Sequence, residues 1–467
     1  MSRLLPLFLF IIFISITSAA GQIFQEADAW SLSALPSGIE TGDFNKDGRA
    51  DIAILEYNSW NECTLSIYLN AANNKLTLKE RKSYKVAGYS LRTNDLNKDG
   101  HLDLVLTMPT QLMLLLGDGQ GNFNAAKTKN IRDGYASVVN DFNKDGHLDI
   151  ATTNFLDQSV MLFTGNGKGG FTENDAYKVG AQPASIESSD VNQDTYPDLV
   201  VGNQASGNIS LLLNNKQGGF GAAKNYPVGF FPNNLAIAEL NGDQYLDIAV
   251  VSLNEKESIT LLSGDGQGGF TPFQIIPGYI PADILIKDFT CDARPDILIS
   301  SGGLMLFENS ATGFVLKNQA TNWHAASSIA SADFNLDGGF DVIAPFQRNN
   351  VEVALLTNIK DCALYLNKEE DPVDPKQPDI TPSKLVSIPN IFTPNGDGQN
   401  EFFEIKWSKD IPENELTVYD RWGGLVHSNK HYQNNWNGSQ LAEGVYFYII
   451  QVNKSKEVFK GWVTIAR

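Results

Sequence analysis

Residues 141–150 read DFNKDGHLDI, and nearly the same string stands at 43–52 (DFNKDGRADI) and 95–104 (DLNKDGHLDL). Asp141, Asn143, Asp145 and Asp149 place oxygen-bearing side chains at positions 1, 3, 5 and 9, and Gly146 at position 6 permits a left-handed turn. A helix–loop–helix cation site would close with a bidentate Glu at position 12. Here position 12 is Thr152, inside IATTNF, and ASVVN precedes the loop. The flanks carry no helical period, so the loop joins two β-strands.

The pattern recurs. Loops begin at Asp43, Asp95, Asp141, Asp190, Glu239, Asp288 and Asp333, at spacings of 52, 46, 49, 49, 49 and 45 residues. A period near 49 suits a four-stranded propeller blade and is far too long for a leucine-rich repeat. Each unit has an apolar strand before the loop, and a strongly β strand after it (LVVGN, IAVVSL, ILISS). A third strand such as SVMLFTG follows, then Gly-Gly-Phe or a close variant, here called the Gly-Phe step (Phe123, Phe171, Phe220, Phe270, Phe314), and a more polar fourth strand. The expected fold is all-β: a seven-bladed β-propeller. Gln22 to Ser31 reads as a fourth strand without a unit of its own, so it is expected to complete blade 7 and cover that edge. CALYLN (362–367) competes for the place, and the sequence leaves the choice open.

All the loop donors are hard oxygens, suited to calcium and poor for zinc or copper. The expected ligands are Asp43, Asn45, Asp47 and Asp51; Asp95, Asn97, Asp99 and Asp103; Asp141, Asn143, Asp145 and Asp149; and Asp333, Asn335, Asp337 and Asp341. Three weaker sets are Asp190, Asn192, Asp194 and Asp198; Glu239, Asn241, Asp243 and Asp247; and Asp288, Thr290, Asp292 and Asp296. In these, Thr195 or Ala293 replaces the glycine, or Glu239 replaces the first Asp. A single such loop is equally an Asx turn that needs no metal. Seven, with three acids apiece, call for neutralisation. Up to seven structural Ca²⁺ ions would bring the net charge of −19 to about −5.

These units resemble the FG-GAP/VCBS repeats of integrin-type propellers over residues 22–367. The resemblance implies calcium loops between strands 1 and 2 of each blade. It speaks weakly to function, because the same propeller serves adhesins, lectins and enzyme appendages.

At the N-terminus Arg3, the apolar run LLPLFLFIIFISI and Ser18-Ala19-Ala20 read as a signal peptide, residues 1–20, and no transmembrane segment is expected in the mature chain. Cys63, Cys291 and Cys362 are too few for a disulfide framework, and no pairing follows from them. The acidic balance argues against nucleic acid as a partner. The propeller is expected over 21–367, followed by a Pro- and acid-rich linker, 368–386, containing KEEDPVDPKQPDITPSK. Residues 387–467 alternate aromatic and β-branched residues between Gly and Asn turns, which predicts a small antiparallel β-sandwich. Asn395-Gly396-Asp397-Gly398 there reads as a tight turn rather than another metal loop. Phe392-Thr393-Pro394-Asn395-Gly396-Asp397-Gly398, Tyr419-Asp420-Arg421-Trp422-Gly423, Trp436-Asn437-Gly438 and Gly444-Val445-Tyr446 resemble the gliding-motility-associated C-terminal domain of Bacteroidetes. That resemblance implies a type B sorting signal, engagement of the type IX secretion machinery, and a secreted or cell-surface protein.

No Gly-x-Ser-x-Gly, His-Glu-x-x-His or phosphate loop is present, and His324 is the one histidine outside the calcium loops and the sorting domain. The turns entering the innermost strands repeatedly carry Gly before an aromatic: Tyr89, Tyr135, Phe230 and Tyr279, with Trp323 and His324 in blade 7. Trp60, Phe155 and Phe346 lie in turns reaching the same face. These residues pack between blades or form an aromatic ring around the channel that holds an extracellular glycan or protein. The expectation is a binding or adhesion module; the alternative is a polysaccharide-degrading enzyme on a propeller scaffold.

Overall fold

The structure is a computed structural model. It describes residues 23–359 except 72–74, 311, 321–326 and 348–350, and parts of 386–465. The signal segment, residues 368–385 of the expected linker, CALYLN and Asn395–Gly398 lie outside the described residues, and Val386, the last expected linker residue, opens a strand. The chain divides into two compact units, Met1–Glu370 and Asp371–Arg467.

Seven four-stranded sheets make up the described part of the first unit. Blade 3 shows the plan: Gly134–Asn140, Asp149–Asn154, Ser159–Gly165 and Phe171–Lys178 pair antiparallel in chain order. The second strand is buried at every position, because neighbouring blades cover both its faces. The fourth strand, on the rim, is largely exposed. The Gly-Phe step gains its meaning between blades. Phe123 of blade 2 meets Phe44 in the loop of blade 1 edge-to-face at 5.3 Å, and Phe220 of blade 4 meets Phe142 of blade 3 at 5.4 Å.

The ring closes as expected from the N-terminal segment. Phe24–Ser31 pairs antiparallel with Val351–Asn358, from Phe24 opposite Asn358 to Ser31 opposite Glu352. Ile39 and Ile52 of blade 1 pack with Phe334 and Ile343 of blade 7, and Thr41 Oγ1 donates to the Ser331 carbonyl at 3.4 Å. Cys63 is a buried free thiol, whereas Cys291 is disulfide-bonded.

The second unit contains a five-stranded sheet, in the order Ile391–Phe392, Val458–Ile465, Gly444–Val452, Asn414–Tyr419, Leu425–Asn429, and a two-stranded one, Val386–Ser387 with Lys406–Trp407. Phe403 sits in its core against Trp436 at 5.9 Å and Tyr448 at 5.1 Å. The first pair runs parallel, unlike the expected all-antiparallel arrangement. The chain between those two strands is long enough to re-enter the sheet from the same end.

Candidate functional site

Each acidic loop is held by its own side chains. In blade 1 the amides of Gly48, Asp47 and Arg49 donate to Asp43, Asn45 and Asp47 at 2.8, 3.0 and 3.0 Å. Position 4 is left-handed as well as position 6: Lys46, Lys98, Lys144, Gln193, Cys291 and Leu336 have φ between 57° and 61°. The sequence carries no glycine signal for that position outside Gly242.

The ninth residue does something different. Asp51, Asp103, Asp149, Asp198, Asp247, Asp296 and Asp341 are fully buried. In blade 3, Asp149 accepts the amide of Phe142 at 3.0 Å and that of Gly165 at 2.8 Å, tying the loop to the end of the third strand. Five of the others make the equivalent pair of bonds, and in blade 6 Asp296 accepts from the amide of Thr290, one residue later in the loop, and from that of Asn309. This residue is therefore a buried clasp in its own right. Burial pushes the Asp51, Asp103, Asp149, Asp198 and Asp296 carboxyls up to about 6 and Asp341 to about 7, and the other loop carboxylates add to the shift.

Among the described residues no three His, Cys, Asp or Glu side chains form a ready cage, so a cation here would depend on Asn and main-chain oxygens too. The donors nevertheless fit calcium in blades 2 and 3. Asp95 Oδ1 and Asp141 Oδ1 are buried at position 1 without a hydrogen-bond partner. Such an oxygen is costly unless something satisfies it. In blades 4 and 6 a protein cation already sits on position 5: Lys216 lies 3.4 Å from Asp194, and Arg294 pairs with Asp292.

The opposite end of the channel opens into a cavity of about 1260 Å³ between the innermost strands. Its mouth carries a ladder of aromatic rings on blades 1 to 3. Trp60 meets Tyr57 edge-to-face at 6.0 Å, Tyr57 stacks on Tyr89 at 6.1 Å, Tyr89 lies 5.1 Å from Tyr135, and Tyr135 stacks on Phe155 at 5.0 Å. Burial and then the neighbouring phenols raise Tyr89 and Tyr135 above the ordinary tyrosine range, so both remain hydroxyl donors at neutral pH.

Among the described residues the aromatic contacts form an arc over blades 1 to 3. Tyr89 and Tyr135 belong to it. Phe230 is 69% exposed but does not line the cavity, and Tyr279 turns between blades against Phe307 at 5.5 Å. Phe346 is buried in the blade 7 core, while Trp323 and His324 lie outside the described residues.

Below the mouth the channel is charged. Arg92 of blade 2 reaches Glu40 of blade 1 and Glu187 of blade 4, each at 3.4 Å. Asp283 of blade 6 accepts from Asn234 Nδ2 at 2.5 Å and from the amides of Ile284 and Ile329 at 2.8 Å. Burial raises Glu40 to about 7, partly offset by Arg92, and raises Glu187 and Asp283 as well. Sequence reasoning missed this cluster, yet a signal existed. Glu40, Arg92 and Glu187 all stand three residues before their loops, where the other blades have Val138, Ala236, Leu285 and Ala330.

Comparison with known proteins agrees with this architecture. Residues 95–152, 141–201 and 190–250 match the FG-GAP-like repeat, and residues 386–465 match the CHU_C Type IX secretion signal domain. The chain carries both. No curated protein sequence matches it. Among solved structures, BBS1N in complex with ARL6DN, soaked with lead, is similar at 9% identity, with 73% of this chain and 99% of that one covered and a TM-score of 0.55. The mercury-soaked crystal of the same complex gives 0.53 at 9% identity, covering 73% and 98%. At such identity the likeness is one of fold: a β-propeller. The secretion signal marks the chain for export to the cell surface or the medium. Among the described residues no helix is long and apolar enough to cross a membrane.

Proposed function

We propose that this exported propeller is a binding module, stabilised by calcium in its loops, that holds an extracellular ligand at the mouth of its channel. The observation that carries the reading is the ladder Trp60–Tyr57–Tyr89–Tyr135–Phe155 beside a cavity large enough for a peptide segment or a short glycan. Two sides of the disc have separate tasks. The loop side fastens strands within each blade, and the mouth side presents chemistry that differs from blade to blade. Type IX export delivers that surface outside the cell. In the loops of blades 2 and 3, Asp95, Asn97 and Asp99, and Asp141, Asn143 and Asp145, would hold calcium, which supplies charge neutralisation between their carboxylates.

The test is an array of extracellular glycans and proteins probed with the full chain and with Trp60→Ala and Tyr135→Ala variants, beside a product assay on any polysaccharide retained. Retention that falls in both variants, with no product, supports a binding module. Retention indifferent to both substitutions removes the mouth as the site, and released product favours the enzyme reading.

A further inference from the structure

The mouth has chemistry that narrows its ligand. Tyr89 lies between Tyr57 and Tyr135, and Tyr135 between Tyr89 and Phe155, at centroid separations of 5.0–6.1 Å, so the rings form one offset, mutually packed row. Around them the same side of the disc exposes bulky apolar residues in its turns: Trp60 at 77%, Leu156 at 64%, Phe230 at 69%, Phe231 at 52% and Ile280 at 52%. Trp60 and Leu156 line the cavity and Phe230, Phe231 and Ile280 stand outside it, so exposed apolar groups extend across this side beyond the cavity, as on a protein-binding surface.

The cavity floor adds the sign of the charge. Glu40, Glu187 and Asp283 face a single guanidinium, Arg92, and Asp133 adds a further carboxylate to the lining. Lys287, the other lining cation, is drawn to the ring of Phe340 at 5.2 Å. The donors to Asp283, from Asn234, Ile284, Ile329 and Ser328, are all neutral. A carboxylate excess in a half-enclosed site favours an entering cation.

We propose that the ligand is a protein segment that lays apolar side chains on the mouth turns and sends one Lys or Arg side chain into the channel toward Asp283 and Glu187. This rests on the reading of the mouth as the ligand site. The apolar contacts supply the area, and the basic side chain supplies selection against neutral or acidic segments.

The experiment pans a phage library of random 12-residue peptides on the immobilised full-length chain. Selected sequences are then synthesised with the basic residue intact or replaced by norleucine. Expected is enrichment of a Lys or Arg flanked by apolar residues, with affinity at least tenfold weaker for the norleucine peptide. A similar loss is expected on Glu187→Gln and on Trp60→Ala; Trp60 is exposed, so its removal leaves the core intact. Enriched peptides without a basic residue, or norleucine peptides bound equally well, overturn the charge assignment. If no peptide is enriched while soluble polysaccharides quench Trp60 fluorescence, the protein class is wrong and the mouth reading stands. If neither binds, both fall.

Discussion

At the scale of single residues, the acidic loop combines two devices that the sequence shows as one. Positions 1, 3 and 5 shape an exposed turn, while position 9 is a buried tie between strands. Replacing Asp149 with Ala strands the amides of Phe142 and Gly165, and the expected loss is on the order of 3 kcal/mol. If the tie is independent of metal, denaturant melts in excess EGTA will show much the same penalty; a penalty confined to calcium-loaded protein would assign Asp149 to coordination alone. Thr195 presents the opposite case. It is β-branched with φ 77°, where glycine stands in the stronger loops. Thr195→Gly is expected to raise stability by about 0.5–1 kcal/mol, relief of the left-handed backbone exceeding the added chain entropy. A lower urea midpoint in the variant would refute that balance. Position 6 was legible because glycine advertises its backbone. Position 4 was not, because Lys46, Lys98 and Lys144 show no left-handed preference and adopt it under tertiary constraint.

Among the elements, period and punctuation made the blades readable, and inter-blade fastening was hidden. Four third strands carry, at or within two residues of their end, an Asn whose side chain donates to the second loop residue of the preceding blade. These are Asn70 to Phe334, Asn214 to Phe142, Asn309 to Leu240 and Asn358 to Phe289, at 2.8–3.0 Å. The acceptors are buried carbonyls, so each Asn is a latch between blades. Asn214→Ala is expected to cost about 1–3 kcal/mol, seen as a lowered Tm. Blade 3 should also show faster hydrogen exchange beside its loop, and an unchanged exchange pattern would show that the latch is idle. In sequence these Asn residues look like turn formers, since their partners lie 69 to 264 positions away. The channel cluster was obscure for the same reason. Glu40, Arg92, Glu187 and Asp283 come from four blades, and only closure of the ring brings them together.

For the whole molecule, charge and connectivity set the behaviour. At about 1 mM calcium, loops with affinities of roughly 0.1–1 mM would each add on the order of 0.4–1.4 kcal/mol. Chelation is therefore expected to lower Tm markedly, and an unchanged melt in excess EGTA would dismiss structural calcium. The charge of −19 raises that expectation from composition alone, although it does not say which loops would carry it. Ring closure bears on a different matter, the order of assembly. Residues 24–31 emerge among the first of the propeller, but their partner, 351–358, is made after six blades. Joining ends some 320 residues apart costs ~5 kcal/mol of loop entropy, against ~2 kcal/mol for a neighbouring hairpin. Until that seat is taken, blade 7 keeps a vacant edge that accepts the same strand from another molecule. At high concentration the chain thus has a built-in route to domain-swapped dimers, and its export gains from keeping nascent copies apart.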